Sequence, residues 1–365
     1  MLSSDHQPSD RPVSMAPMEN ATSPSVLANR VEHNEQMASP AAGPWMQALA
    51  KLWRDRSAMM ATLVLLVIIL ASLLAPVYAE RIAGVDPFNS NLEAEISLDG
   101  QSVPVLAPST EGLGIGVVPI GPTWRFDAYF LGADEQGRDV MARLLYGGRA
   151  TLFIGSVSTA ITLVLAAIVG ICAGFFGGWI DQLLSRVLDI LWAFPIYLLA
   201  ICLSIVLLTA HIEIGPVTID SGSLVIPIVI IGIIYVPYVA RPIRGQVLAL
   251  RRSEFVMAAI GLGVPPLRIL IRDVLPNVLT TLIVFVPLMM ALNIATETAL
   301  SFLSLGVQPP GASWGTIIRD GQSLLYSRPW VSTAPGLVII VTIVALNILG
   351  DGVRDAFDPR AKLRP

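Results

Sequence analysis

Six long apolar stretches, separated by polar segments of very unequal length, organise this chain. They lie near Ser57–Tyr78, Thr151–Phe175, Leu188–Thr209, Leu224–Ala240, Val278–Thr296 and Val331–Leu349. About 20 apolar residues in helical form cross a hydrocarbon core of ~30 Å, so the pattern predicts an all-α membrane protein with six transmembrane helices. The fourth run is short and carries Pro227 and Pro237, which leaves its ends loosely fixed. The first begins at residue 57 and is too long for the apolar region of a signal peptide; no convincing cleavage site follows it.

Lysine and arginine near the run ends set the orientation. Lys51, Arg54 and Arg56 precede the first run and put the N-terminus in the cytoplasm. Six crossings return the C-terminus to that side, where Arg354, Arg360, Lys362 and Arg364 lie. The connection after the second run, with Arg186, is also cytoplasmic. So is the one after the fourth, with Arg241, Arg244, Arg251, Arg252, Arg268 and Arg272.

These assignments divide the chain. Residues 1–56 form a cytoplasmic tail, disordered in composition over 1–43. Its last part, Pro44–Arg56, reads equally as an amphipathic surface helix or as an extension of the first span. Residues 57–78 are that span, and 79–150 an extracytoplasmic segment with short strands expected around Ile96 and Val105. Residues 151–350 form the membrane domain, with a cytoplasmic loop at 241–277 and an outer loop at 297–330, and 351–365 are a cytoplasmic tail. Trp314 and Trp330, in and beside the outer loop, read as interfacial aromatics or as part of a cap over a translocation path.

Composition agrees with a bilayer protein: 54% of the 365 residues are hydrophobic and 14% charged, against roughly a quarter charged in soluble domains. A net charge of -4 gives no footprint for nucleic acid. Cys172 and Cys202 fall inside apolar runs and read as small hydrophobes. His6, His33 and His211 are scattered, so no metal site is expected. The two lysines, Lys51 and Lys362, both follow alanine, so the Gly-Lys-Ser/Thr of a phosphate-binding loop is missing. GxSxG and HExxH are missing as well, and the chain is not expected to be an enzyme.

Few ionisable residues touch the apolar runs: Arg186, Asp189, Glu297 and Asp351 are the main ones. Asp189, three residues after Arg186, suggests an intrahelical ion pair at the inner membrane edge. Glu297 is a functional candidate by its depth, or a helix-end carboxylate bonded to a neighbouring span. No chain of such groups crosses the spans as a proton relay would require.

The segment Arg251–Pro276, RRSEFVMAAIGLGVPPLRILIRDVLP, is a long, basic, helix-forming connection between two spans. Ala258, Ala259, Gly261 and Gly263 allow close approach of a partner's backbone. Pro265 and Pro266 end a first helix; Leu267–Leu275 restarts a second, and Pro276 marks the start of the fifth span. Arg251, Arg252, Arg268 and Arg272 could pair with an acidic groove, or serve only as topological charges. Such a segment looks built to be gripped by a protein that supplies energy.

Its spacing resembles the EAA loop of ABC importer permeases: Ala258-Ala259, Gly263 and Leu275-Pro276 match in register. Met257 stands where the pattern has Glu, and Glu254 lies three residues earlier. Leu131–Arg149, LGADEQGRDVMARLLYGGR, is similar to the signature of the dipeptide/oligopeptide permease family, C-type subunit, through Gly132, Asp134, Gly137, Arg138 and Asp139. Ala173–Pro195, Ala299–Gly315 and Gly350–Arg360 resemble three further motifs of that family, the likeness covering roughly Leu131–Arg360. The resemblance implies the six-helix type I importer fold in a bacterial inner membrane. It also implies pairing with a B-type permease, two ATPase subunits that carry the ATP-Mg, and an extracytoplasmic peptide-binding protein. No cofactor would be held by this chain. The family also imports nickel, opines and glycosides. An ion-coupled secondary transporter would need internal repeats and midplane charges, a membrane enzyme a nucleophile or metal cluster, and an exporter a different loop.

Overall fold

The computed structural model describes residues 44–357, apart from 99, 110–115, 210–211, 215–216 and 221. The tail at 1–43, the three histidines, and Arg360, Lys362 and Arg364 lie outside the described residues. The compact unit runs from Ala48 onward.

Helix α1, Pro44–Arg54, is separate from α2, Arg56–Leu73. Asp55 divides them: its carboxylate accepts from the backbone N–H of Ser57 (2.9 Å) and Ala58 (3.3 Å), satisfying donors that a helix start leaves free. After α2 the chain continues through a short turn, Ala75–Val77, and a wider π-helical one, Tyr78–Ala83. The segment between α2 and the next long helix carries two antiparallel hairpins, β1 (Glu95–Leu98) with β2 (Gln101–Pro104) and β3 (Leu106–Pro108) with β4 (Val117–Pro119). Ile96 is in β1, whereas Val105 sits between β2 and β3, buried, with its N–H bonded to the Ala94 carbonyl at 2.8 Å.

Helix α3, Val140–Phe176, is 37 residues long and central. It contacts α2 and most of the elements that follow. Next come α4 (Gly178–Ala193) and α5 (Ile196–Thr209), a hairpin β5 (Ile212–Ile214) with β6 (Val217–Ile219), α6 (Val225–Ile234) and α7 (Val236–Arg251). Then α8 (Glu254–Gly261) and α9 (Pro266–Ile269) lead through a π-helical turn at Leu270–Val274 into α10 (Leu275–Phe302). Two more helices follow, α11 (Trp314–Asp320) and α12 (Trp330–Phe357).

The chain is therefore mostly helical, with short hairpins outside the spans. Among the described residues, four helical stretches are long and apolar enough to cross a membrane: α2, α3, the α9–α10 rod and α12. The number rises to six if each bent pair, α4 with α5 and α6 with α7, counts as one span. The third apolar run is not one straight helix over Leu188–Thr209. Helix begins at Gly178, and the axis turns by 92° between Ala193 and Ile196. Phe194, next to Pro195, is extended (φ -96°, ψ 143°), because the proline ring crowds the residue before it out of helical geometry. The fourth run bends by 41° near Tyr235–Val236.

The core lies where α3 meets α6, α7 and α10, around Ile154, Ile231, Ile243, Val247 and Met289. Gly170 and Gly174 form a small-xxx-small ridge on α3, the arrangement that lets membrane helices approach closely. A Cβ on Gly170 would stand 2.8 Å from the Ala240 carbonyl oxygen, and one on Gly174 2.9 Å from that of Arg244. Gly174→Leu therefore has no room. We expect it to destabilise by more than the 1–3 kcal/mol of ordinary overpacking, since backbone must move, read as a fall in detergent-solubilised melting temperature. Trp314 belongs to a second core. It is fully buried, its indole N–H donating to the Leu144 carbonyl at 3.1 Å, and so it is not at an interface.

Candidate docking and coupling sites

The α8–α9 segment is a helical hairpin sealed by a glycine. The chain leaves α7 at Arg252, and extended Ser253 starts α8, so Glu254 opens the first turn, where a carboxylate is favoured by the helix dipole. At the other end the N–H of Gly263 bonds to the Ile260 carbonyl (3.0 Å) and that of Val264 to Ala259 (3.1 Å). This is a Schellman cap, which requires a left-handed residue at its turn; Gly263 supplies it with φ +72°. Pro265 is extended and Pro266 begins α9.

The inner face of this hairpin is held to the core by Val256, Ile269 and Val274, with Ala259 and Val264 packed beside them. Its outer face is apolar and open: Phe255, Met257, Ile260, Leu267 and above all Leu262, which is 84% exposed. Glu254, Ala258, Gly261, Gly263, Pro265 and Arg268 are exposed with them. Leu275 and Pro276 stand apart, in the first turn of α10. Pro276 follows the π-helical turn that joins α9 to α10 in one continuous helical stretch, Pro266–Phe302.

At the other end of the molecule the LGADEQGRD segment folds around buried charge. Arg138 Nε pairs with Asp134 at 2.7 Å, and both Arg138 and Arg143 reach Asp320 at 3.0 Å. Arg143 Nε approaches Asp134 at 3.4 Å, while its Nη1 donates to the Pro87 carbonyl at 3.1 Å. Asp134 and Arg143 are each 1% exposed. Asp139 caps α3, accepting from Ala142 N–H at 2.8 Å and from Tyr129 N–H at 2.5 Å. Burial pushes its carboxyl up to about 6, against the lowering effect of those backbone donors. Gly137 turns the loop at φ +72°, where any Cβ would lie 2.1 Å from the Asn91 carbonyl oxygen.

The five motif residues are thus brought together as a clasp on the start of α3. Arg143, inside the quoted motif, belongs with them. Asp320 was not visible in sequence, since nothing marks a partner 177 residues from Arg143.

The model of the family described as binding-protein-dependent transport system inner membrane component matches residues 166–363, from the middle of α3 onward. This chain belongs to that permease family. A second model, the N-terminal TM domain of oligopeptide transport permease C, matches residues 43–99. A dipeptide transport system permease protein of Alkalihalophilus pseudofirmus is 33% identical over 88% of this permease and 92% of its own length. An oligopeptide transport system permease protein of Bacillus subtilis is 32% identical over 90% and 93%. A glutathione transport system permease protein of Pectobacterium atrosepticum is 35% identical over 64% and 74%.

Two ion pairs tie α4 of the permease to α7. Arg244 grips Asp181 with two bonds of 2.5 and 2.7 Å. Asp189 pairs with Arg241 at 2.9 Å, not with Arg186 as the i, i+3 spacing suggested. Arg241 also lies over the Trp192 ring at 4.9 Å, which holds its charge within reach of Asp189. Glu297 is fully buried in α10; Ser301 donates to one of its oxygens at 2.7 Å. That bond is within its own helix, while Thr151 of the neighbouring α3 and Ser313 also face the carboxyl.

Proposed function

We propose that this permease is the C-type membrane subunit of an ATP-driven importer, translocating di- or oligopeptides handed to it by an extracytoplasmic binding protein. The observation that carries the reading is the α8–α9 hairpin: an exposed apolar face, anchored to the core, on a chain whose sequence has no phosphate-binding loop. Exposed apolar patches of this kind mark interaction sites. The relatives named for dipeptide, oligopeptide and glutathione transport support a peptide cargo.

In this reading each bent helix pair makes one crossing, giving six, with both termini on the cytoplasmic side of a bacterial inner membrane. A B-type permease completes the pathway, and two ATPase subunits sit beneath, carrying the ATP-Mg. This chain holds no cofactor of its own. Residues 241–277 form the coupling loop. Closure of the ATPase pair pushes on Phe255, Met257, Ile260 and Leu262, and the buried anchors Val256, Ile269 and Val274 pass the push to α7 and α10. This is rigid-body switching driven by a partner's chemistry. Glu254 takes the place of the acidic position that Met257 lacks. The clasp at Gly132, Asp134, Gly137, Arg138 and Asp139 holds the outer segment in place for the binding protein.

Two measurements test this. A reporter fused near Pro265 is expected to read cytoplasmic and one near Gly311 external; the reverse would end the six-crossing topology. Vesicles containing the full transporter should accumulate peptide only with ATP and binding protein present. Copurification of the cognate binding protein with nickel or an opine instead would reassign the cargo while leaving the importer intact.

A further inference from the structure

The outer ends of two membrane helices are joined by an unbroken band of aromatic rings. Tyr78, just past α2, meets Phe126 edge to face at 5.9 Å; Phe126 meets Phe130 at 6.1 Å. Phe130 meets Trp124 at 5.7 Å, and Trp124 meets Trp330, the first residue of α12, at 5.4 Å. The Tyr78 hydroxyl donates to the Asp127 carbonyl at 2.8 Å, fixing the 124–130 turn on the helix end. Tyr78 closes the first apolar stretch and Trp330 opens the last. Rings packed between them lie at the depth where hydrocarbon gives way to head groups, whichever way the chain is oriented.

The turn does not hide its rings. Phe126 is 68% exposed and Trp124 56%. Trp124 also has φ +55°, a strained backbone region that bulky residues rarely adopt. Glycine or asparagine would sit there without strain, so the turn spends stability on presenting an indole. Below the band, apolar side chains continue outward from both helices: Leu66, Leu70 and Leu73 on α2, and Leu337, Ile340 and Val344 on α12.

We propose that the Trp124–Phe130 turn is a lipid anchor, inserting Trp124 and Phe126 into the head-group and upper acyl region of the outer leaflet. The argument for phospholipid is continuity with the apolar surface of α2 and α12 together with ring type. Tryptophan and tyrosine collect at membrane–water boundaries because an apolar body and a hydrogen-bonding end suit that boundary. Anchored there, the turn fixes the outer segment, which runs on directly into the Asp134–Arg138 clasp. The proposal holds for any cargo.

The test is made on the assembled transporter in phosphatidylethanolamine/phosphatidylglycerol vesicles. Cys172 and Cys202 are replaced by alanine, and a nitroxide is attached at Trp124→Cys, at Phe126→Cys or, as an aqueous reference, at Leu92→Cys. Leu92 is exposed in the same outer segment. At 124 and 126, collision with dissolved oxygen should exceed collision with a water-soluble nickel chelate, and at 92 the order should reverse. Nickel-dominated collision at 124 and 126 would place the turn in water and overturn the proposal. Exclusion of both reagents would place it against the binding protein or the second permease, and would overturn it equally. Should labelling disturb folding, the native tryptophan serves. Fluorescence quenching by lipids brominated near the head group should fall in Trp124→Phe relative to wild type, and an unchanged quench is a negative result.

Discussion

Gly263→Trp is expected to abolish ATP-dependent uptake while leaving the permease inserted in the membrane. Around Gly263 the fold itself has space: a Cβ there meets nothing within 4 Å. The internal cost is therefore conformational, about 1–2 kcal/mol for a non-glycine residue in left-handed geometry, and is confined to the Schellman cap. The larger effect lies outside the chain, because an indole would project from the face on which the ATPase subunits are proposed to sit. Gly263→Ala separates the two causes. It carries the same backbone strain with almost no bulk, and should retain much of the uptake that the tryptophan variant loses. Uptake is measured in vesicles, and docking by copurification of the ATPase subunits. Survival of both in Gly263→Trp would remove the coupling role from this hairpin.

The second large effect is on stability. Asp320→Asn is expected to destabilise the permease by about 3–5 kcal/mol, the usual consequence of removing one partner from a buried ion pair. Asp320 takes bonds from Arg138, Arg143 and Arg319, and the first two are nearly sealed from solvent. Without it, two buried guanidinium groups share Asp134 alone. A second substitution makes the cause visible: Arg143→Met removes one of the stranded charges, so the double variant should melt above Asp320→Asn alone. If the double variant loses the sum of the two single losses, the charges are not coupled and the clasp is held by packing. Thermal unfolding in detergent, followed by loss of monodisperse protein, distinguishes the outcomes.

The spacing of residues near one another in sequence was a good guide, and distance along the chain was its limit. The Pro265–Pro266 break and the strand at Ile96 each follow from local backbone preference, and each is where the sequence places it. The long apolar runs locate the helices, but hydropathy counts residues and carries no direction. The right-angle bend beside Pro195 is therefore invisible to it, although the proline itself was in view. Asp189 was assigned to Arg186 because helical spacing favours neighbours; the guanidinium of Arg241, from another helix, is the partner in fact. Trp314 was read, on residue type alone, as an interfacial aromatic or as part of a cap. Its burial depends on α3 presenting the Leu144 carbonyl, a contact that only the fold creates.

The union of α9 with α10 has a mechanical consequence. Pro266–Phe302 is one helical rod of 37 residues, about 55 Å long at 1.5 Å per residue, well beyond the ~30 Å of hydrocarbon it crosses. A rod of that length converts angle into distance. Swinging it by about 10° about its outer end carries the inner end through roughly 10 Å, from the same helical rise. Displacement on that scale at the Pro266 end therefore needs no bending or unfolding along the rod, only rotation about a fulcrum near Phe302.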